Sequence, residues 1–193
     1  GKSKYMMAVK KDIEQYGDFI KALAKEVGSL RAGDMEGASA FVAAVDEALG
    51  VLTDERAVLK HFEWPEAKID AMREAAAVYN ELQGFIRRMG TWETGPDACE
   101  AECSRITAYF EKVQKRMDQL MTSFDADKKR FKKEGIPWDD RVVKDVKASS
   151  LHLTELFLDR VLREVERIKG APNQEGRIYT LLVSGVRFAF RCH

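Results

Sequence analysis

A regular row of apolar residues near the N-terminus is the first helical pattern of the chain. Its members are separated by alternating steps of three and four residues, which is the spacing of a coiled-coil seam. The row consists of Met6, Val9, Ile13, Tyr16, Ile20, Leu23, Val27 and Leu30. We predict a helix over residues 5–30 that buries this seam against the bundle or a second copy, and we interpret it as a candidate dimerisation or docking arm.

Two further helical patterns occupy the middle of the chain. The predicted second helix carries one apolar stripe, formed by Val42, Val45, Leu49, Leu52 and Leu59. Trp64 and Pro65 then interrupt the pattern, and proline suits the first turn of a helix because its missing N–H would be unpaired there. We therefore predict that a third helix begins at Pro65, and its wide apolar arc indicates a central position.

The C-terminal half predicts three more helices. A pattern over residues 97–134 predicts a fourth helix of about 57 Å at the α-helical rise, which favours an elongated bundle. Gly135 and Pro137 end it, and a fifth helix is predicted over residues 139–169. Residues 177–191 are apolar on nearly every side, which indicates a helix inserted into the core. The predicted fold is all-α, an elongated bundle of about six helices with one or two very long ones, in a single domain over residues 1–193.

Charge and cysteine content narrow the classes of partner. The 32 basic and 32 acidic residues balance, so the chain lacks the overall attraction to nucleic acids or acidic membranes that basic proteins have. No apolar run approaches the roughly 18 residues of a membrane span. We expect no nucleic-acid partner and no membrane contact by this segment itself. Three cysteines at low density favour a reduced, cytosolic setting.

Residues that could carry catalysis are sparse. The sequence has no glycine-rich phosphate-binding motif. Cys99 and Cys103 are four residues apart on one predicted helix, but a zinc site needs about four ligands and the histidines are distant in sequence. We expect no catalytic residue, no metal and no cofactor, and we interpret the chain as not an enzyme.

A cluster of cations lies near the end of the predicted fourth helix. It consists of Lys128, Lys129, Arg130, Lys132 and Lys133. Cations in the last turn stabilise a helix through its dipole, which is one interpretation. The other is a local basic patch that meets an acidic protein surface.

Two pairs of cations, each spaced by one helical turn, have either a structural role inside the bundle or an exposed contact with a partner. Arg56 falls on the apolar stripe of the predicted second helix, with Lys60 one turn later. It either forms a buried ion pair inside the bundle or makes an exposed contact. Arg187 and Arg191 form the second pair, on the last helix.

Several blocks of sequence resemble one plant family. Residues 53–79, TDERAVLKHFEWPEAKIDAMREAAAVY, are similar to the hallmark block of the chloroplast unusual positioning proteins and their paralogues. The resemblance continues, in the family's order, in residues 8–27, in FKKEGIP at 131–137, in KASS at 147–150 and in GVRFAFR at 185–191. Residues 41–52 depart from the family pattern, so a chloroplast-positioning protein and a paralogue both remain open.

The resemblance implies a fold related to the formin homology 2 domain and a role in actin filament nucleation and assembly for chloroplast positioning and movement. It implies a cytosolic location at the chloroplast outer envelope, with the membrane anchor outside these residues. Actin, with profilin as a further candidate, is the implied partner, and the seam and the long fourth helix favour a homodimer. The candidate actin-binding residues are Arg56, Lys60, Lys128, Lys129, Arg130, Lys132, Lys133, Arg187 and Arg191. The alternative is a non-catalytic dimerisation or scaffold domain of a paralogue associated with microtubules.

Overall fold

The regular secondary structure of the chain is entirely α-helical in the computed structural model, which describes residues 1–193. The helices are α1 (Lys2–Ser29), α2 (Met35–Leu49), α3 (Glu55–Leu59), α4 (Glu66–Gly90), α5 (Cys99–Met121), α6 (Phe124–Lys133), α7 (Arg141–Ile168) and α8 (Glu175–Cys192). The prediction of an all-α fold is confirmed. Eight helices replace the predicted six because the predicted second and fourth helices each break in two. The relation to the formin homology 2 fold stays a prediction.

The predicted second helix is α2 followed by α3. The turn between them is held by Asp12 of α1, whose carboxylate accepts a hydrogen bond from the N–H of Thr53 at 2.6 Å. Asp54 then begins α3, because its Oδ1 accepts the N–H of Ala57 at 2.9 Å and so satisfies a donor that the helix leaves unpaired. A separate short helix therefore lies against α1.

The predicted single helix over residues 97–134 is wrong. A two-residue turn separates α5 from α6. There the hydroxyl of Thr122 donates to the carbonyl of Gln119 at 2.7 Å, a side-chain bond that competes with helix continuation. Asp125 and Asp127 follow in the first turn of α6, where carboxylates stabilise a helix start.

The contacts of the chain divide it into two compact units. The first unit comprises Gly1–Asn80 and Asp125–Asp139, and the second comprises Glu81–Phe124 and Asp140–His193. Helix α4 contributes residues to both units. The assignment of residues 1–193 to a single domain stays a prediction.

The core of the first unit contains most of the predicted seam. Seven of its eight residues pack there. The buried members are Val9, Ile20 and Val27, and the partly buried members are Ile13, Tyr16, Leu23 and Leu30. Met6 is 66% exposed and does not join this core. Phe131 of α6 completes it from a segment distant in sequence.

The second unit packs α5, α7 and α8 together. Phe188 of α8 stacks on Phe157 of α7 with ring centroids 4.5 Å apart and meets Phe110 of α5 edge-on at 5.5 Å. A Cβ atom at Gly185 would lie 3.1 Å from the Leu158 side chain, so the glycine permits the close approach of α7 and α8.

The prediction that the last helix is inserted into the core is wrong. Only one face of α8 is buried, and it consists of Leu181, Gly185, Phe188 and Cys192. The opposite face is also apolar but lies in solvent, so the all-round apolar pattern reflects two faces with different environments. None of the eight helices is apolar enough over a sufficient length to cross a bilayer.

Candidate functional site

The N-terminal turns of α1 and the helix α3 form an open groove in the first unit. Three contacts hold α3 there. The hydroxyl of Tyr5 donates to Asp54 at 2.5 Å, Asp12 accepts the N–H of Thr53, and the ring of Phe62 packs beside Gly17. We call this feature the α1–α3 groove.

The α1–α3 groove has an apolar floor and a basic rim, and its volume is about 840 Å³. No acidic side chain lines it. The residues that do so are Lys2, Ser3, Tyr5, Met6, Met7, Val9, Lys10, Ile13, Ala57, Lys60 and His61. Asp54 lies beside the groove and accepts hydrogen bonds from the hydroxyl of Tyr5 and the N–H of Ala57. These bonds, with the nearby charges of Lys60 and Arg56, lower the pKa of Asp54. The groove therefore presents apolar surface bordered by lysine side chains.

Arg56 and Lys60 occupy this region, and the structure decides between the two interpretations of Arg56. Arg56 belongs to α3 and does not continue the stripe of α2. Its side chain is exposed, and the structure shows no ion pair for it. The buried ion pair is therefore wrong: both cations are exposed at the surface, where their charges act on the carboxylate of Asp54.

The cations of α6 form a second surface cluster. Lys129, Lys132 and Lys133 are exposed, and the structure shows no acidic partner for them. Arg130 is different, because it is bonded to Glu74 of α4 and lies 3.5 Å from Asp127. We use the name α6 lysine cluster for the three exposed lysines.

The end of α6 has the geometry that the sequence predicts. Gly135 adopts a φ of 71°, a left-handed conformation that glycine tolerates without strain. The N–H of Gly135 donates to the carbonyl of Lys132 at 3.1 Å, and the N–H of Ile136 donates to the carbonyl of Phe131 at 2.9 Å. These two bonds close the helix C-terminus and fix the direction of the α6 lysine cluster.

The two basic surfaces of the first unit lie toward opposite ends of α1. Tyr5 touches α3 at the N-terminal end, whereas Arg31, just past the C-terminal end, lies beside Gly135. From Tyr5 to the last residue of α1 the helix rises about 36 Å. The predicted actin-binding residues of this unit therefore form two separate sites.

The predicted cations of α8 differ from each other. Arg191 pairs with Glu111 of α5 at 2.8 Å and lies 5.9 Å from the centre of the Phe110 ring, so it has a structural role. Arg187 is exposed, and no ion pair is seen for it.

An exposed apolar face runs along α8 opposite its buried face. Its members are Tyr179, Leu182, Val186 and Phe190, which are 71%, 40%, 68% and 84% exposed. Their spacing of three and four residues places them on one side of the helix. We call this surface the α8 apolar face.

The thiols are buried and the histidines are dispersed. Cys99 and Cys103 are buried on one face of α5. Burial, which is the main cause, and the neighbouring thiol of Cys99, which is the second cause, raise the pKa of Cys103 to about 12. Cys192 is also buried, and burial raises its pKa. No group of three or more potential metal ligands comes together.

An ion-pair network that sequence reasoning missed joins three helices of the second unit. The buried carboxylate of Glu164 on α7 bonds Arg167 at 2.6 Å and Arg177 of α8 at 2.8 Å, and Arg160 lies at 3.5 Å. Arg177 also forms a bidentate pair with Glu100 of α5 at 2.6 and 2.9 Å. The hydrogen bond from Arg167 and then that from Arg177 lower the pKa of Glu164 to about 2. The pairs within α7 follow i,i+3 and i,i+4 spacings that the sequence shows, but no spacing relates Arg177 to Glu164 and Glu100, so the pairs between helices had no signal.

The remaining missed features had partial signals. The α8 apolar face follows a spacing that is visible in the sequence, but the same residues also suit a buried helix. The α1–α3 groove had a weaker signal, because it depends on where α3 packs.

These features define an all-α chain whose surface carries separate basic and apolar clusters and a groove. Residues 72–193 match the family described as the IPGAL1-like, C-terminal domain. The chain therefore belongs to the IPGAL1-like C-terminal domain family. It is also 29% identical over 164 residues to the uncharacterized protein At4g04980 of Arabidopsis thaliana, covering 84% of this chain. The chain spans 22% of the length of that relative.

Proposed function

We propose that this chain is a non-catalytic actin-binding domain that promotes filament nucleation and assembly, with profilin as a further candidate partner. The observation that carries the proposal is the α6 lysine cluster, three exposed lysines without acidic partners on a chain of zero net charge. Together with the resemblance of the sequence blocks, this supports contact with an acidic filament surface. In the full-length protein this activity serves chloroplast positioning at the outer envelope.

The position of the cluster suits a docking role. Phe131 is buried in the core between the lysines, and the cap at Gly135 fixes the end of the helix. The lysines therefore extend from a rigid element, so fewer degrees of freedom are lost on binding. Complementary charge sets the orientation and the association rate of such contacts. A dimer would present two equivalent clusters and raise the effective concentration of a second actin subunit.

Co-sedimentation with actin filaments across a salt series tests the proposal. Changing Lys129, Lys132 and Lys133 to Gln should weaken binding at low salt and flatten its salt dependence, because exposed charges are screened within about 10 Å at 0.1 M salt. Folding should change little, since each lysine contributes about 0.3 kcal/mol to the helix end. In pyrene-actin assays, the wild type should shorten the lag and the variant should not.

The matched control changes Lys11, Lys21 and Lys25 of α1 to Gln, which removes the same charge from exposed positions of the same unit. This control should bind as the wild type does. Equal affinity of the α6 variant at every salt concentration would assign the lysines to helix stability alone. No co-sedimentation and no effect on assembly by the wild type would reject actin binding.

A second candidate function is a dimerisation or scaffold domain of a paralogue associated with microtubules. The α8 apolar face favours it, because exposed apolar patches of this kind mark protein interfaces. Sedimentation of the same protein with microtubules distinguishes the two functions. Binding to microtubules without binding to actin supports the second.

A further inference from the structure

The α1–α3 groove leaves a large apolar surface uncovered. Tyr5, Met6 and Met7 are 46%, 66% and 68% exposed, and they line the groove together with Val9 and Ile13. Methionine side chains are flexible and polarisable, so two of them on the apolar floor adapt to a partner's side chains. The lining extends from Lys2 to Ile13, a rise of about 17 Å along α1, which equals about three turns of a partner helix.

The charged side chains that line the groove are all basic, and the carboxylate of Asp54 beside them is bonded to Tyr5. Lys2, Lys10 and Lys60 form the rim, and the lining contains no carboxylate. The chain as a whole is neutral, so this imbalance is local. A basic partner would be repelled, and a neutral apolar partner would leave the lysines without counter-charges.

We propose that the α1–α3 groove binds an acidic amphipathic helix of another protein. The apolar stripe of the helix lies on Tyr5, Met6 and Met7, and its flanking carboxylates pair with the rim lysines. Helices recognised in grooves place apolar anchors at positions i, i+3 or i+4, and i+7, which fit a groove about three turns long. The charge pairs determine which face of the partner helix enters the groove and in which direction the helix runs.

This site is independent of the actin-binding surface proposed above. The groove lies at the N-terminal end of α1, and the α6 lysine cluster lies near its C-terminal end. Lys60, which we predicted from the sequence as an actin-binding residue, lines the groove instead. The domain thereby has the means to hold a second protein while α6 contacts a filament.

Fluorescence anisotropy with designed peptides tests this proposal on the intact chain. The probe is a labelled helical peptide of about 16 residues with leucines at heptad spacing and glutamates on both flanks. One comparison peptide keeps the leucines and replaces the glutamates by lysines, and another has the acidic sequence scrambled so that no apolar stripe forms. The acidic amphipathic peptide should bind at least about tenfold more tightly than either, and its affinity should fall between about 50 and 300 mM salt.

Two variants examine the rim and the floor separately. Changing Lys2, Lys10 and Lys60 to Gln should weaken the acidic peptide at least about tenfold and reduce the salt dependence. Changing Met6 and Met7 to Ser should weaken it while leaving the salt dependence intact. The Lys11, Lys21 and Lys25 to Gln control should bind the peptide as the wild type does, and circular dichroism should be unchanged in all three because the substituted positions are exposed.

Several outcomes would overturn the proposal. They are equal binding of the scrambled peptide, no binding of the acidic peptide, and unchanged affinity of both groove variants. A wild type that is dimeric and becomes monomeric with the Met6 and Met7 changes would show that a second copy occupies the groove. The rim variant should co-sediment with actin as the wild type does, so failure of the peptide experiment and failure of the actin proposal are separate results.

Discussion

Glu164 lies on α7 with its side chain only 6% exposed and with nitrogen atoms of three arginines within 3.5 Å of its carboxylate. A buried carboxylate is costly unless its oxygens are bonded to charged partners. Arg177 meets this requirement and also reaches Glu100, so one arginine on α8 connects α5 and α7. The network therefore fixes the relative positions of three helices in the second unit.

The depressed pKa of Glu164 gives the network a defined pH dependence. The carboxyl has an ordinary pKa of 4.5 and one of about 2 in the folded protein. Its contribution to stability is therefore complete above about pH 4.5 and is lost as the pH falls toward 2. Glu164→Gln should lower the free energy of unfolding at pH 7 by about 2 kcal/mol, through the lost charged hydrogen bonds. Urea denaturation from pH 7 to pH 2 should show the gap between variant and wild type narrowing below pH 4.5.

Glu166→Gln is the control for this experiment. Glu166 lies on the same helix, is 76% exposed and pairs only with Lys169 at 3.7 Å. Exposed pairs of this kind contribute little, so this variant should stay within about 0.5 kcal/mol of the wild type at every pH. A constant gap for Glu164→Gln from pH 7 to pH 2 would contradict the assigned pKa.

Helix α1 combines a buried face and an exposed end within one continuous pattern. Ile20 is fully buried in the core of the first unit, whereas Met6 belongs to the same heptad row and lies in the α1–α3 groove. The row is regular because both surfaces need apolar residues on one side of the helix. Heptad spacing alone therefore does not separate a core contact from a docking surface.

The same substitution at these two positions should give opposite results. Ile20→Asp places an unpaired charge in the core and should cost about 3 kcal/mol or more, or prevent folding. Met6→Asp remains in water and should leave the urea midpoint nearly unchanged, while weakening the acidic peptide in the groove. Chemical denaturation and circular dichroism of both variants check this. Destabilisation by Met6→Asp equal to that by Ile20→Asp would place Met6 in the core.

The sequence predicts elements better than their interruptions. The seam in α1, the start of α4 at Pro65 and Glu66, and the cap at Gly135 follow from local chemistry, so they were predictable. The turn before α3 depends on Asp12, 41 residues before Thr53, and no local rule indicates it. The break after α5 involves Thr122, an ordinary residue with helical backbone angles, which explains why a single helix was predicted.

The predictability of the candidate sites follows the same rule. The α6 lysine cluster was visible because its members are adjacent in sequence. Arg130 does not belong to the cluster because it is bonded to Glu74. The sequence gives no sign of this pair, since Glu74 lies 56 residues away along the chain. The α1–α3 groove forms only when α3 packs beside α1. Sequence spacing therefore marked Lys60 as a candidate binding residue but did not indicate the residues of α1 that line the groove with it.

At the scale of the whole molecule, the family match and the two units overlap only in part. The matched residues 72–193 include all of the second unit and α6. The α1–α3 groove lies before residue 72, outside the matched segment. The α6 lysine cluster and the α8 apolar face therefore belong to the part that defines the family, and the groove is a feature of the preceding residues.

The α8 apolar face is where we expect a second copy to bind. A patch that contains an exposed tyrosine, valine and phenylalanine on one helix is an aggregation hazard unless something covers it. A two-fold axis near the middle of α8 would place Tyr179 of one copy beside Phe190 of the other, so the face is self-complementary in an antiparallel pair. Such a pair would present two α6 lysine clusters and so raise the effective concentration of a second actin subunit.

Light scattering during size-exclusion chromatography tests this dimer directly. The wild type should be a dimer at micromolar concentration. Changing both Val186 and Phe190 to Asp should raise the dissociation constant of the dimer at least about hundredfold, because four unpaired charges would be buried between the two copies. Helicity should be retained, since the two positions are 68% and 84% exposed within one chain. Changing Gln114 and Gln119 on exposed α5 positions to Glu adds the same charge elsewhere in the unit and should leave the dimer intact. A wild type that stays monomeric, or a double variant that stays dimeric, would exclude the α8 apolar face as the dimer interface. A monomeric wild type that still shortens the lag of actin assembly would show that assembly does not depend on dimerisation.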